Sequence, residues 1–135
     1  MYSRSDMQEI IDNGTMIKST QKAIGDLDDI LDNLESQVNQ CPTLMPEMIL
    51  QNHIVLVKEQ RKLLTNKLES LIDRRRELQK TIICDSDDDV ATIDRIVAKL
   101  LAIDDIYIET HKTSNVTIMS FVEDLLKKKR YLLTK

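Results

Sequence analysis

The sequence predicts an all-α protein: an elongated antiparallel helical hairpin, in coiled-coil style, followed by two shorter C-terminal helices. Two heptad ladders are the first reason. Ile10, Ile17, Ile24, Leu31 and Val38 recur every seven residues, and so do Leu50, Val57, Leu64, Leu71 and Leu78. The second reason is where the ladders meet. Folding the chain back at Leu44 sets Val38 on Leu50, Leu31 on Val57, Ile24 on Leu64, Ile17 on Leu71 and Ile10 on Leu78, the a-against-d pairing of an antiparallel coiled coil. That mirror point falls inside Cys41-Pro42-Thr43-Leu44-Met45-Pro46, the stretch least able to continue a helix. The third reason is composition. The 135 residues are 41% apolar and 31% charged but 3% aromatic, with two Gly and two Pro. So few rings and turn residues leave long elements joined along narrow aliphatic seams.

Helix 1 is expected over about 5–41. Its a positions are the first ladder and its d positions are Asn13, Thr20, Leu27, Leu34 and Cys41. The seam is weak in its first half, and Gly14 costs a helix interior up to about 1 kcal/mol relative to Ala, so fraying before Thr15 is expected. Pro42 ends the helix through its effect on the preceding residue, and Pro46 suits the first turn of helix 2, expected over about 46–83. Residues 1–84 then form the hairpin and residues 85–135 a C-terminal helical segment. Opposite the d positions of helix 1 stand Glu47, Ile54, Arg61, Leu68 and Arg75, which puts Arg61 against Leu27 and Arg75 against Asn13. Either their stems cover the seam while the guanidiniums reach water, or they set register and meet acids on a further helix, as candidate partner contacts.

Cys84-Asp85-Ser86-Asp87-Asp88-Asp89 interrupts the pattern. Ser86 is a good N-cap and aspartates favour a helix N-terminus, so helix 3 is expected over about 87–110. Val90, Ile93, Ile96, Leu100, Ile103 and Tyr107 line one stripe of it, with Val97, Leu101 and Ile108 beside them; so wide a stripe packs on two neighbours. The β-branched and polar stretch Thr110 to Thr117 marks a turn, and helix 4 follows over about 115–133, carrying Ile118, Phe121, Val122, Leu125 and Leu132.

Motifs for chemistry are scarce. The acids at 85–89 alternate as in a calcium loop, but Val90 stands where the loop needs Gly and Ile96 where it needs Glu. Ser86 followed by three acids matches the preference of acidophilic kinases and is a candidate phosphosite. His53 and His111 have no ligand or catalytic companion at working spacing. No enzyme, metal or cofactor is expected. Lys127-Lys128-Lys129-Arg130 is the one basic cluster. It either complements a helix C-terminus or is a candidate contact for an acidic protein tail, anionic lipid or nucleic acid, and Arg74-Arg75-Arg76 is a second, weaker case. The net charge of −4 argues against nucleic-acid binding by the whole chain. Cys41 and Cys84 lie far apart in the hairpin and are expected as reduced thiols in a cytosolic or nuclear compartment, and the chain is expected to be cytoplasmic. No signal-peptide pattern opens the chain, and no apolar run approaches the roughly 18 residues of a membrane span.

Ala23-Ile-Gly-Asp-Leu-Asp-Asp-Ile30 with Leu34-Glu35, a proline-containing break, and then Val57-Lys58-Glu59-Gln60-Arg61-Lys62-Leu63-Leu64 resemble the small coiled-coil subunits of spindle and kinetochore microtubule complexes. The likeness is to the second subunit of the Ska complex, and the small subunits of augmin are similar in make-up. It covers residues 15–80. It implies a scaffold held by other coiled-coil subunits in a hetero-oligomer and associated with microtubules indirectly, at a spindle or kinetochore. Small hairpin subunits of vesicle-trafficking complexes, such as the lysosome-related organelle assembly, are similar in build and imply the alternative process.

Overall fold

The computed structural model describes the backbone of residues 4–40 and 44–135, and the side chains of residues 6–40 and 47–135. It is all-helical: α1 Arg4–Gln40, α2 Leu44–Asp85, α3 Val90–His111 and α4 Val116–Thr134. The two long helices pack together as the expected hairpin, and two shorter helices follow. The residues of the expected turn, Cys41, Pro42 and Thr43, lie outside the described residues. Pro46 falls in the first turn of α2, where its missing N–H has no helical acceptor to lose.

The chain forms two compact units, Lys18–Ser70 and Met1–Ile17 with Leu71–Lys135. This division differs from the expected boundary at residue 84, because helix-sized apolar faces gather by packing and not by order along the chain. The first unit is hairpin alone. Thr20, Leu31 and Ile54 are buried along its seam, while Ile24, Leu27, Leu34, Val38, Leu50, Val57, Leu64 and Leu68 are half-buried. The ladder positions therefore face inward as the heptads require. Two helices cannot enclose an apolar stripe wider than their line of contact, so the seam stays partly wet.

The second unit has a closed core. Ile10 from α1, Leu78 and Ile82 from α2, Ile93 and Leu100 from α3, and Ile118, Phe121, Val122 and Leu125 from α4 are all buried together. Met7, Ile11, Ile96, Val97, Ile103 and Leu132 pack against them. At about 1.5–3 kcal/mol per fully buried large apolar side chain, this cluster is the main source of stability for the unit.

The start of α3 corrects the sequence expectation. Its N-cap is Asp89, whose carboxylate accepts from the Ala91 N–H at 3.1 Å and the Thr92 hydroxyl at 2.9 Å. Ser86 is not the cap. α2 runs on to Asp85, and Ser86, Asp87 and Asp88 make the turn, the two aspartates at φ 52° and 53°. Asp tolerates that left-handed region better than most residues. α3 ends on Lys112 at φ 61°, whose N–H bonds the Ile108 carbonyl. α4 is capped by Asn115, whose Oδ1 accepts from the Thr117 and Ile118 N–H groups.

The weak half of the α1 seam is the other correction. α1 is unbroken from Arg4, with no fraying before Thr15. Asn13 and Gly14 are where the α3–α4 turn seats. A Cβ on Gly14 would lie 1.9 Å from Asn115 Oδ1, so glycine is required for the approach of the α4 cap, not tolerated as a defect.

Candidate functional site

Around Gly14 the polar residues that look misplaced in the heptads form one connected network. The Asn115 amide donates from Nδ2 to the Ile11 carbonyl at 3.0 Å, and its backbone N–H donates to Asp104 at 2.7 Å. The Thr117 hydroxyl donates to Asn13 Oδ1 at 2.7 Å, and Asn13 Nδ2 donates to the Leu71 carbonyl at 2.9 Å. Tyr107 meets the Thr15 hydroxyl at 2.8 Å while Thr15 donates to the Ile11 carbonyl. His111 stacks on Tyr107 with centroids 3.8 Å apart. Asn13, Asp104, Asn115 and Thr117 are all buried. Each bond made within such a dry network is worth keeping because the alternative is an unpaired buried group. The network holds α1, α2, α3 and α4 in register.

The basic cluster is largely drawn into the fold. Lys128 is 18% exposed, and its ammonium donates to the Ile83 carbonyl at 3.0 Å, to the Ser86 hydroxyl at 2.5 Å and to Asp88 at 2.9 Å. It thus supplies a cation and donors to the C-terminal end of α2. That is helix-end complementation, but of α2, since α4 continues past the cluster to Thr134. Lys129 pairs with Asp94 on α3 at 2.7 Å. Lys127 and Arg130 remain exposed. The four candidates therefore do not act as one patch. Ser86 is 0% exposed, its hydroxyl donating to the Ile83 carbonyl at 2.6 Å while accepting from Lys128. As folded, it is out of reach of a kinase.

The Asp88 carboxyl is held below the usual aspartate range, first by its hydrogen bond from Lys128. Asp89 is lowered likewise, first by the Thr92 hydroxyl and then by the Ala91 N–H. Asp88 is thus occupied with a lysine and Asp89 with a helix end.

Arg61 and Arg75, the candidate partner contacts on α2, diverge. Arg61 reaches an acid, but on α1 of its own hairpin: its Nε donates to Asp28 at 2.5 Å, with both side chains about half exposed. A pair that open to water is worth about 0–1 kcal/mol. Arg75 is half-buried, and its Nε is the only buried side-chain nitrogen or oxygen without a partner among the described residues. Arg74, first of the Arg74-Arg75-Arg76 run, is the bridging residue. It donates to Glu9 on α1 at 2.6 Å and to Glu77 at 2.7 Å, and these bonds, Glu9 first, raise its pKa. His53 and Cys84 are exposed.

The surface that stands out lies in the hairpin unit. Ile49, Leu56 and Leu63 are 60%, 56% and 69% exposed, values that leave most of each side chain in water. They are seven residues apart, a third ladder offset by one residue from Leu50, Val57 and Leu64. Met48 and Val55 flank it, also exposed, and Ile30 on α1 is 44% exposed. An open groove runs beside it, lined by Ala23, Asp26 and Leu27 of α1 and Gln60, Leu63 and Leu64 of α2. This offset ladder is readable in the sequence, one residue from the ladder that faces α1. A separate cleft in the other unit, about 320 Å³, has Met7, Ile96 and Leu100 as its floor and Asp85, Thr92, Arg95 and Lys99 around it. None of those polar residues is buried, so nothing there orients a small substrate.

No described helix is long and apolar enough to cross a membrane. No protein-family model, no curated protein and no solved structure matches this chain.

Proposed function

We propose that this chain is a non-enzymatic structural subunit of a hetero-oligomeric coiled-coil assembly. The observation that carries the reading is the apolar ladder Ile49, Leu56 and Leu63, more than half exposed on a hairpin whose own seam is already occupied. Contiguous apolar surface of several hundred Å² on a water-exposed helix marks an interaction site. The broad stripes on α3 and α4 carry less of the reading: Ile93, Leu100, Ile118, Phe121, Val122 and Leu125 are spent in the internal core, while Leu101, Ile108 and Leu126 are more than a third exposed. The internal use of Lys128 and Lys129 speaks against an autonomous basic binder of filaments or lipid.

For the process served, the resemblance of Ala23 to Ile30 and Val57 to Leu64 to spindle and kinetochore subunits favours cell division, with microtubules reached through partner chains. Two measurements test the proposal. Sedimentation of the tagged chain in extract, at native abundance, is expected to give a particle several times its own mass; a chain migrating as a 15.6 kDa monomer refutes the subunit reading. Imaging through the cell cycle is expected to show spindle or kinetochore signal. Endosomal puncta would instead assign the chain to vesicle trafficking.

A further inference from the structure

We propose that Ser86 is a conditional phosphorylation site, shut while Lys128 of α4 ties down the α2–α3 turn, and that a phosphate placed there holds the turn open and returns the Lys128 ammonium to solvent.

The lock is a single side chain. Ser86 is 0% exposed, and its hydroxyl donates to the Ile83 carbonyl at 2.6 Å. Lys128 covers it: the ammonium reaches Ser86 Oγ at 2.5 Å, the Ile83 carbonyl at 3.0 Å and Asp88 at 2.9 Å. These partners belong to the end of α2 or to the turn, so opening the turn and releasing Lys128 are one event. The turn itself is a conformation that the chain does not favour locally. Asp87 and Asp88 stand in succession at φ 52° and 53°, a region that residues with a Cβ populate sparsely. Such a segment opens at lower cost than the core beside it. Ser86 followed by Asp87, Asp88 and Asp89 then meets an acidophilic kinase, and modification tracks the population of the open form, as cleavage by a protease does.

The phosphate does not fit back. In the transfer, the γ-phosphorus of ATP bonds to Ser86 Oγ as its bond to the ADP oxygen breaks, and the hydroxyl proton leaves to the base of the kinase. The ester oxygen has no proton left to give the Ile83 carbonyl. The phosphoryl oxygens bring a charge of about −1.5 to −2 into a site closed to solvent, beside Asp87 and Asp88 and at the carbonyl end of α2, where negative charge is disruptive. Asp89 and not Ser86 holds the N-terminus of α3, so the favourable end of that dipole is not within its reach. Lys128 is already shared with Asp88, and one ammonium does not neutralise both.

Phosphorylation of Ser86 by a purified acidophilic kinase with ATP is followed in the full chain, without denaturant, by phosphopeptide mass spectrometry. A synthetic peptide of residues 80–95 is the exposed reference. The parent is expected to react at least a hundredfold more slowly than the peptide, Lys128→Met at least tenfold faster than the parent, and Lys127→Met at the parent's rate. A parent as fast as the peptide, a Lys128→Met protein no faster than the parent, or a peptide left unmodified overturns the proposal. Parent phosphorylated in urea and returned to buffer is then compared by hydrogen exchange with an unphosphorylated twin carried through the same steps. The amides of residues 83–89 are expected to exchange at least tenfold faster, with those of residues 18–70 unchanged. Equal protection at 83–89 means that the closed turn accepts the phosphate, and lost protection at 18–70 as well means that the opening is not local. Either result overturns the proposal, and neither depends on how well Lys128→Met folds.

Discussion

Replacing Gly14 with alanine tests the seating of the α3–α4 turn most directly. In an ordinary exposed helix interior, Gly→Ala stabilises by about 1 kcal/mol, through propensity and a less floppy unfolded chain. Gly25 is that ordinary case: it is exposed and an added Cβ meets nothing within 4 Å. At Gly14 the added carbon would lie 1.9 Å from Asn115 Oδ1 and 2.5 Å from its Cγ. Asn115 is 1% exposed and has no room to retreat. Moving it gives up the α4 N-cap, worth about 0.5–2 kcal/mol. It also gives up the bond from Nδ2 to the Ile11 carbonyl, leaving buried groups unpaired at about 1–3 kcal/mol. After the propensity gain of about 1 kcal/mol, Gly14→Ala is expected to destabilise by about 0.5–4 kcal/mol. For a unit of this size, each 1 kcal/mol shifts Tm by about 4–8 °C, so Tm should fall by at least about 2 °C. Gly25→Ala should hold or raise it. Thermal and urea melts of both variants, followed by circular dichroism, decide the matter. A Gly14→Ala protein as stable as Gly25→Ala would refute the close approach and the account of the seam built on it.

Removing the Lys128 ammonium, as in Lys128→Met, is expected to cost about 1–3 kcal/mol in urea denaturation because the Ile83 carbonyl, Ser86 and Asp88 lose a shared donor; Lys127→Met, at an exposed position, should stay within about 0.5 kcal/mol. Asp88 and Asp89 both have folded pKa values below their unfolded ones, so their contribution is fully present above about pH 4 and is lost as pH falls through the folded values. Tm measured from pH 6 down to pH 2.5 should therefore decline less steeply in an Asp88→Asn, Asp89→Asn double variant than in the parent; identical slopes would show that neither carboxylate is linked to folding. Ser86 in the folded chain should resist an acidophilic kinase and become a substrate only when urea opens the α2–α3 turn, read by phosphopeptide mass spectrometry; rapid modification without urea would contradict its burial.

The heptads and the capping residues made much of the fold legible. A seven-residue repeat of Ile, Leu and Val constrains a helix to present one stripe, and two such repeats around a proline pair constrain the chain to double back; both are local or near-local facts. The N-cap of α3 was harder to read, because Ser86, Asp87, Asp88 and Asp89 are all acceptable caps by residue type. Lys128, 42 residues away, draws Ser86 inward, while Asp89 takes the cap. The candidate surface was half legible. Ile49, Leu56 and Leu63 stand one residue from the ladder that faces α1, and periodicity alone does not say which of two adjacent stripes a single partner helix will cover.

From sequence alone, then, come the helical class, the hairpin and the absence of catalytic motifs, since these follow from spacing and residue type along one chain. The tertiary structure was needed to show that Asn13 and Gly14 are not seam defects but the seat of the Asn115 cap, and that Ile93 and Leu100 of α3 and Ile118, Phe121, Val122 and Leu125 of α4 are buried within the molecule while Leu101 and Ile108 stay exposed. It also left the Ile49–Leu56–Leu63 ladder uncovered. The physical reason is common to all three: whether a polar residue is satisfied or an apolar one exposed depends on what residues distant in sequence bring against it, and periodicity carries no information about that.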